Sequence, residues 1–171
     1  MSFLANAQLQ SDLDVAPLLL AAHVLRTDNE ALQAAHDLAN AAREHAAKRD
    51  QQRKLPWSQI EAFTRSGLGS ISIPRAFGGP QVSYVTLAEV FAIISAADPA
   101  LGQIPQNQVG LLNLIESIAT PAQKEHLFTS VLQGWRIGNA GPERGTKNTL
   151  DLKARITADG DDFVINGQKF Y

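Results

Sequence analysis

Leu150-Asp151-Leu152-Lys153-Ala154-Arg155-Ile156-Thr157 alternates apolar and polar residues, and Asp159-Gly160 and Phe163-Val164-Ile165-Asn166-Gly167 follow it. That period of two is the mark of a strand with one buried face, so Leu150–Thr157 is expected as a half-buried strand. Asp159–Asp162 reads as a turn and Phe163–Ile165 as the next strand. Asn166-Gly167 is a strong two-residue hairpin signal, with Gln168–Tyr171 as the return strand. Upstream the period is different. Leu32, Ala35, Ala39, Ala42 and Ala46 recur at steps of three and four, the face of a helix. The shift from 3.6 to 2 falls near Gly134. It sets the expected fold class: α+β, an N-terminal helical bundle followed by the opening strands of a β-barrel-like domain. The expected division is a lead-in over 1–27, a helical domain over 28–134 and an incomplete β-domain over 135–171.

Working back along the helical part, Asp28 is expected to cap the first helix, with Glu44 and Lys48 as an i,i+4 ion pair. The basic stretch Lys48–Lys54 reads either as a solvated helix end, which suits the helix dipole, or as a binding patch. Pro56 opens a second helix whose apolar side is Trp57, Ile60 and Phe63. Gly67 and Gly69 end it. The segment from Leu68 to Pro80 alternates apolar residues between Gly/Pro clusters and is expected as a turn-rich loop. No Lys-Ser/Thr follows its glycines, so it is not a phosphate cradle. Ser83 caps a strongly apolar helix to Ala97, in which Glu89 stands either as a structural carboxylate or as a catalytic acid. Asp98-Pro99 breaks that helix. Gln103, Gln106, Asn107 and Gln108 form an amide cluster, and helix resumes over Leu111–Ile118. Thr120-Pro121-Ala122-Gln123 is a capping box with proline at the first helical position.

Composition excludes several classes. With 44% hydrophobic and 19% charged residues the chain has enough apolar content for a packed core. The net charge of −2 gives no reason to expect nucleic acid or an anionic membrane as partner. The absence of cysteine removes disulfides, thiolate catalysis and iron–sulfur clusters. His23, His36, His45 and His126 include no i,i+4 pair, so no metal site is expected. The apolar run Val15–Leu25 is too short to span a bilayer, and Asp12 and Asp14 precede it where a signal peptide would be basic. A cytoplasmic location is expected.

Four motifs, in this order, resemble the acyl-CoA dehydrogenase superfamily. Gly67-Leu68-Gly69-Ser70-Ile71-Ser72-Ile73-Pro74-Arg75-Ala76-Phe77-Gly78-Gly79 is similar to its Gly-Leu…Ile-Pro…aromatic-Gly-Gly loop. Thr120-Pro121-Ala122-Gln123-Lys124 resembles the helix start before a Leu-x-Gly turn, here Leu132-Gln133-Gly134. Glu143-Arg144-Gly145-Thr146 resembles the Glu-x-x-Gly-Ser segment, one residue shorter. Asp159-Gly160 with Phe163 to Lys169 resembles the Asp-Gly…Asn-Gly-x-Lys hairpin. Ala97-Asp98-Pro99-Ala100-Leu101-Gly102-Gln103-Ile104-Pro105-Gln106-Asn107 and Arg136-Ile137-Gly138-Asn139-Ala140 resemble one branch more closely. This is the branch of dibenzothiophene monooxygenases and sulfur-acquisition oxidoreductases.

The resemblance implies a parent enzyme more than twice this length, closed by a C-terminal helical bundle. It implies a reaction in which reduced flavin, FMN supplied by a partner flavin reductase or else FAD, is used with oxygen to oxygenate a small organosulfur substrate. It places Asn139, Ala140, Glu143 and Tyr171 at the flavin. Asn139, on what would be the first β-strand, can both donate to and accept from a flavin edge, or can bond its own backbone at a strand end. Tyr171 is either an aromatic beside the flavin or strand packing. Gln103, Gln106 and Asn107 are candidates for the substrate pocket, where neutral amides bring no titrating neighbour. Two positions depart from the dehydrogenase pattern: Pro142 stands where a hydroxyl residue contacts flavin, and Lys147 replaces an acidic residue. The resemblance also implies a homo-oligomer, dimer or tetramer, at full length. The alternatives are an FAD-dependent acyl-CoA dehydrogenase and a non-catalytic fragment. The 171 residues alone are expected to bind flavin poorly and to self-associate through open edges and apolar faces.

Overall fold

The computed structural model describes residues 22–148 and 150–170. The expectations for the lead-in before Ala22 and for Tyr171 lie outside the described residues. The chain divides into two compact units, the first ending at Ile137 and the second beginning at Gly138.

The first unit is helical: α1 (Asp28–Arg43), α2 (Ala46–Gln51), α3 (Trp57–Arg65), α4 (Tyr84–Ala97), α5 (Pro99–Gln103), α6 (Gln106–Ile118) and α7 (Pro121–Leu132). Helix α1 buries Ala31, Ala35, Leu38, Ala39 and Ala42. The four alanines let its axis come close to α4, which answers with Val90 and Ile94. Ile60 and Phe63 of α3 and Leu101 of α5 complete this core. A second apolar cluster joins Ile73, Leu112 of α6, and Phe128 and Val131 of α7.

Several local details differ from the sequence reading. Thr27, not Asp28, caps α1 by accepting from the Glu30 N–H. Asp28 instead reaches α4, accepting from the Thr86 hydroxyl at 2.6 Å and the Ser83 N–H at 3.3 Å. Those hydroxyl and amide bonds, with Arg75 nearby, hold its carboxyl below the usual range. The expected Glu44–Lys48 pair does not form, because the helix is interrupted at Glu44 and His45 before α2 begins; Glu44 lies 3.7 Å from His45 instead. Trp57 is 65% exposed while Ile60 and Phe63 are buried, so the apolar side of α3 is narrower than its sequence suggests. Glu89 is exposed and forms no ion pair or hydrogen bond among the described residues, so the reading of a structural carboxylate with a nearby polar partner does not hold there. Helix α4 buries only one side, and Tyr84 and Val85 stand in the open.

The loop between α3 and α4 does more than connect. It makes two 3₁₀ turns, Leu68–Ser70 and Arg75–Phe77, and drives Leu68, Ile71 and Ile73 to full burial. It then folds back on itself through Gln81 N–H to Ile73 O and Val82 N–H to Ile71 O, both 3.0 Å. Gly67 is held at φ 83, and a Cβ there would lie 2.1 Å from the His23 carbonyl oxygen. Both facts require glycine. Gly79 is required by space, since its Cβ would lie 2.2 Å from Ile73 O. At α7 the capping box forms as the sequence predicts: Gln123 N–H donates to the Thr120 hydroxyl, and the Gln123 side chain accepts from Thr120 N–H.

The second unit contains one antiparallel hairpin, β1 (Arg155–Asp159) paired with β2 (Asp162–Asn166). The alternation over Leu150–Thr157 therefore begins too early: Leu150–Ala154 form no strand, and β1 is exposed throughout. The turn is Gly160-Asp161, with Gly160 at φ 62 in the first central position, where a type II′ turn wants glycine. The expected hairpin at Asn166-Gly167 and its return strand are not formed among the described residues. Gly167 serves another purpose, because a Cβ there would meet the Ala154 Cβ at 2.5 Å. The register puts Ile156, Ala158, Phe163 and Ile165 on one face of the hairpin, and Ile156, Phe163 and Ile165 are 64–77% exposed.

Candidate functional site

The residues the sequence singled out fall into three groups. In the helical unit, Gln103 ends α5, and Gln106 and Asn107 open α6, which begins five residues earlier than the sequence indicates. All three are exposed. The amide that is buried is their neighbour Gln108. Its Nε2 donates to Gly69 O at 2.7 Å, and its Oε1 accepts from the Ile137 N–H at 3.4 Å. It thus ties the glycine-rich loop and the segment after α7 to α6. Gly69 has to be glycine for this, as a Cβ would sit 2.8 Å from Gln108 Nε2. The sequence signal was present: Gln108 and Leu112 are four apart and share the inward face of α6.

The second group is the segment from Gly138 to Gly141. It forms neither helix nor strand, so Asn139 is not on a β-strand as expected. Asn139 and Ala140 are exposed, and a Cβ built on Gly138 or Gly141 would meet nothing within 4 Å. The backbone here is open to the approach of a flat ligand.

The third group centres on Glu143, whose side chain is only 4% exposed. Its carboxylate accepts from Lys169 Nζ at 2.8 Å, from Lys153 N–H at 2.6 Å and from Ala154 N–H at 2.9 Å. Lys169 also donates to Gly141 O, and Phe170 N–H to Pro142 O. One carboxylate therefore gathers three stretches of chain, 141–143, 153–154 and 169–170. Lys169 first, then the two backbone N–H groups, lower its pKa from the usual 4.5 to about 2. A depressed carboxyl stabilises the fold above its unfolded pKa, and that stabilisation is lost as pH falls through the folded value. The Lys153 and Ala154 amide resonances are thus expected to titrate together with a midpoint near pH 2. Glu143→Gln should abolish the transition, and a midpoint near 4.5 would show that the clamp is not formed.

Among the described residues no group of three metal-ligating side chains occurs, and no helix is long and apolar enough to cross a membrane.

Comparison with known proteins agrees with this architecture. A dibenzothiophene monooxygenase of Rhodococcus erythropolis is 35% identical over 146 residues, 84% of this chain and 35% of the relative. The 3-sulfinopropanoyl-CoA desulfinase of Variovorax paradoxus is 27% identical over 129 residues, 74% of this chain and 32% of that protein. Among solved structures, FMN-bound TdsC from Paenibacillus sp. A11-2, a dibenzothiophene monooxygenase, superposes with a TM-score of 0.74 at 30% identity, over 81% of this chain and 35% of that one. Butyryl-CoA dehydrogenase from Megasphaera elsdenii shares the fold with a TM-score of 0.73 at 19% identity, over 83% of this chain and 39% of that one. The chain spans about a third of the length of the curated relatives it matches. The description "Acyl-CoA dehydrogenase, N-terminal domain" fits residues 27–135, well over half of the sequence, and the chain belongs to that family.

Proposed function

We infer that this chain is the N-terminal part of a flavin-dependent oxidoreductase which, at the length of its relatives, oxygenates a small organosulfur compound. The observation that carries this reading is the graded identity to curated relatives: 34–35% to dibenzothiophene monooxygenases, against 27–29% to acyl-CoA dehydrogenases and the desulfinase. The residues present fit a flavin. Asn139 offers a neutral amide that both donates and accepts, as a pyrimidine edge needs, and Gly138 and Gly141 leave the backbone beside it open. Bound flavin, FMN or FAD, would supply the redox centre at which oxygen is activated.

In this reading Asn139 and Ala140 contact the flavin, and Tyr171 lies beside it. Glu143, with its carboxylate already saturated by three donors, is a positioning residue that fixes the path of Gly141 and Pro142. Gln103, Gln106 and Asn107 serve the substrate. A flavin reductase supplies reduced flavin, and the full-length protein assembles as a cytoplasmic homo-oligomer. Full-length protein should consume oxygen only when reduced flavin is supplied. Asn139→Ala should weaken flavin binding about tenfold, the worth of one well-placed hydrogen bond in a desolvated site. Flavin fluorescence titration checks this, and an unchanged dissociation constant would remove Asn139 from the site.

The 171 residues alone should bind flavin poorly. A two-stranded hairpin with an uncovered apolar face is marginal by itself, and such faces promote association. Sizing of the purified chain with FMN titration decides this: a monodisperse monomer binding FMN at about micromolar concentration, an ordinary cofactor affinity, would contradict it. The second reading is an FAD-dependent acyl-CoA dehydrogenase. It draws support from the family itself and from a probable acyl-CoA dehydrogenase of Mycobacterium leprae, 29% identical over 73% of this chain.

A further inference from the structure

The helical unit holds a cavity of about 610 Å³ that contains none of Gln103, Gln106 or Asn107. It lies where α2 and the 52–56 turn face α5, and its volume is within the range of small-molecule sites. Its apolar lining includes Leu55, Pro56, Ala100 and Ile104. Leu55 is 66% exposed and Ile104 46%, so large apolar side chains border an open hollow without being covered. Apolar surface of this kind, rimmed by polar groups, marks a binding site.

The charges bordering the hollow do not cancel. Arg49 and Asp98 both line it, but they neutralise each other in a buried pair at 2.6 Å. That leaves Arg53 and Lys54 against Asp50. Arg53 and Lys54 form no side-chain hydrogen bond or ion pair among the described residues, and both are exposed. Arg53 also carries a positive φ of 53, and the 50–54 turn is closed by Arg53 N–H to Asp50 O and Lys54 N–H to Arg49 O. The turn thus fixes two uncommitted cations beside an apolar wall.

We propose that this cavity binds a small amphiphilic monoanion, an apolar body carrying one sulfonate or carboxylate, with the body against Leu55 and Ile104 and the anion at Arg53 and Lys54. The proposal does not depend on the flavin reading, because every residue it uses lies within the helical unit and none has been assigned to the flavin. Trp57, 65% exposed and one residue beyond Pro56, can report occupancy by its emission.

The test is titration of the full chain with octane-1-sulfonate below its micellar concentration, read by calorimetry and, in a Trp135→Phe background, by Trp57 emission. Octan-1-ol is the neutral control. The sulfonate should bind saturably and more tightly than the alcohol. Arg53→Gln with Lys54→Gln should weaken it on the order of fivefold, the scale expected for partly solvated ion pairs, and bring it level with the alcohol. Ile104→Glu, at a position exposed enough to accept a charge, should abolish binding. Octanoate in place of the sulfonate shows whether the site accepts either anion. No saturable response to either anion would overturn the proposal. So would equal affinity for alcohol and anion in the unmodified chain, or binding that survives Ile104→Glu.

Discussion

Arg49→Leu is expected to destabilise the helical unit by about 3–5 kcal/mol, the cost of leaving a buried charge without its partner. Arg49 Nη2 lies 2.6 Å from Asp98 Oδ2 and 2.8 Å from the Ala42 carbonyl, and the two side chains are 13% and 7% exposed. Asp98 has a second task. Its Oδ1 accepts from Ala100 N–H at 3.0 Å and from Leu101 N–H at 3.4 Å, which caps α5 as the chain leaves α4. Removing the guanidinium leaves Oδ2 without its partner while Oδ1 holds its cap. The double variant Arg49→Leu/Asp98→Asn should therefore recover part of the loss, since asparagine keeps the capping oxygen and discards the charge. Urea unfolding followed by far-ultraviolet circular dichroism measures both. A single variant within ~0.5 kcal/mol of the unmodified chain, the range of ordinary surface substitutions, would show that the pair is solvated rather than buried.

Phe128→Ala should cost a similar amount, about 3–5 kcal/mol, through a different cause. Phe128 is fully buried among Ile73, Leu112 and Val131, and meets the Phe77 ring edge-on at 5.1 Å. Its walls come from α6, α7 and the loop before α4, so the space it vacates cannot close by the shift of one helix. The loop should suffer most, because Ile73 and Phe77 are its anchors in this cluster. Amide protection at Gln81 and Val82, which bond back to the Ile73 and Ile71 carbonyls, should fall along with global stability. Phe128→Leu should cost clearly less. Equal losses for alanine and leucine would mean that shape rather than volume governs the site.

Much of the helical unit was legible because its signals are local. Ser83 and the Thr120 capping box start their helices where the residues say they should, and the glycine at 67 stands where φ is positive. What the sequence misjudged depends on partners distant along the chain. Arg49 reads as the last turn of a solvated basic helix, yet its guanidinium is bonded 49 residues away. Asp28 reads as a cap for its own helix but serves α4 instead. Gln108 is one amide among four, and its bond to the Gly69 carbonyl, 39 residues away, is what sets it apart.

The hairpin region misleads for the opposite reason. Asn166-Gly167 is a stronger local turn signal than Gly160-Asp161, but Gly167 is committed to close contact with Ala154. The alternation from Leu150 to Ala154 is interrupted by the Glu143 clamp, which takes up the Lys153 and Ala154 N–H groups that a strand ladder would use. At the candidate flavin segment, the sequence indicated which residues to inspect, Asn139 and Ala140, but not their backbone: they lie in open chain rather than in a strand.

On the proposed reading, the full-length protein is an oxygenase using supplied reduced flavin and not a dehydrogenase of acyl-CoA. Anaerobic mixing of flavin-loaded full-length protein with acyl-CoA tests it most directly, read as visible flavin absorbance in a stopped-flow instrument. The absorbance should stay unchanged, and in a separate aerobic run oxygen uptake should appear only when reduced flavin is supplied. Bleaching of the flavin on addition of acyl-CoA would contradict it.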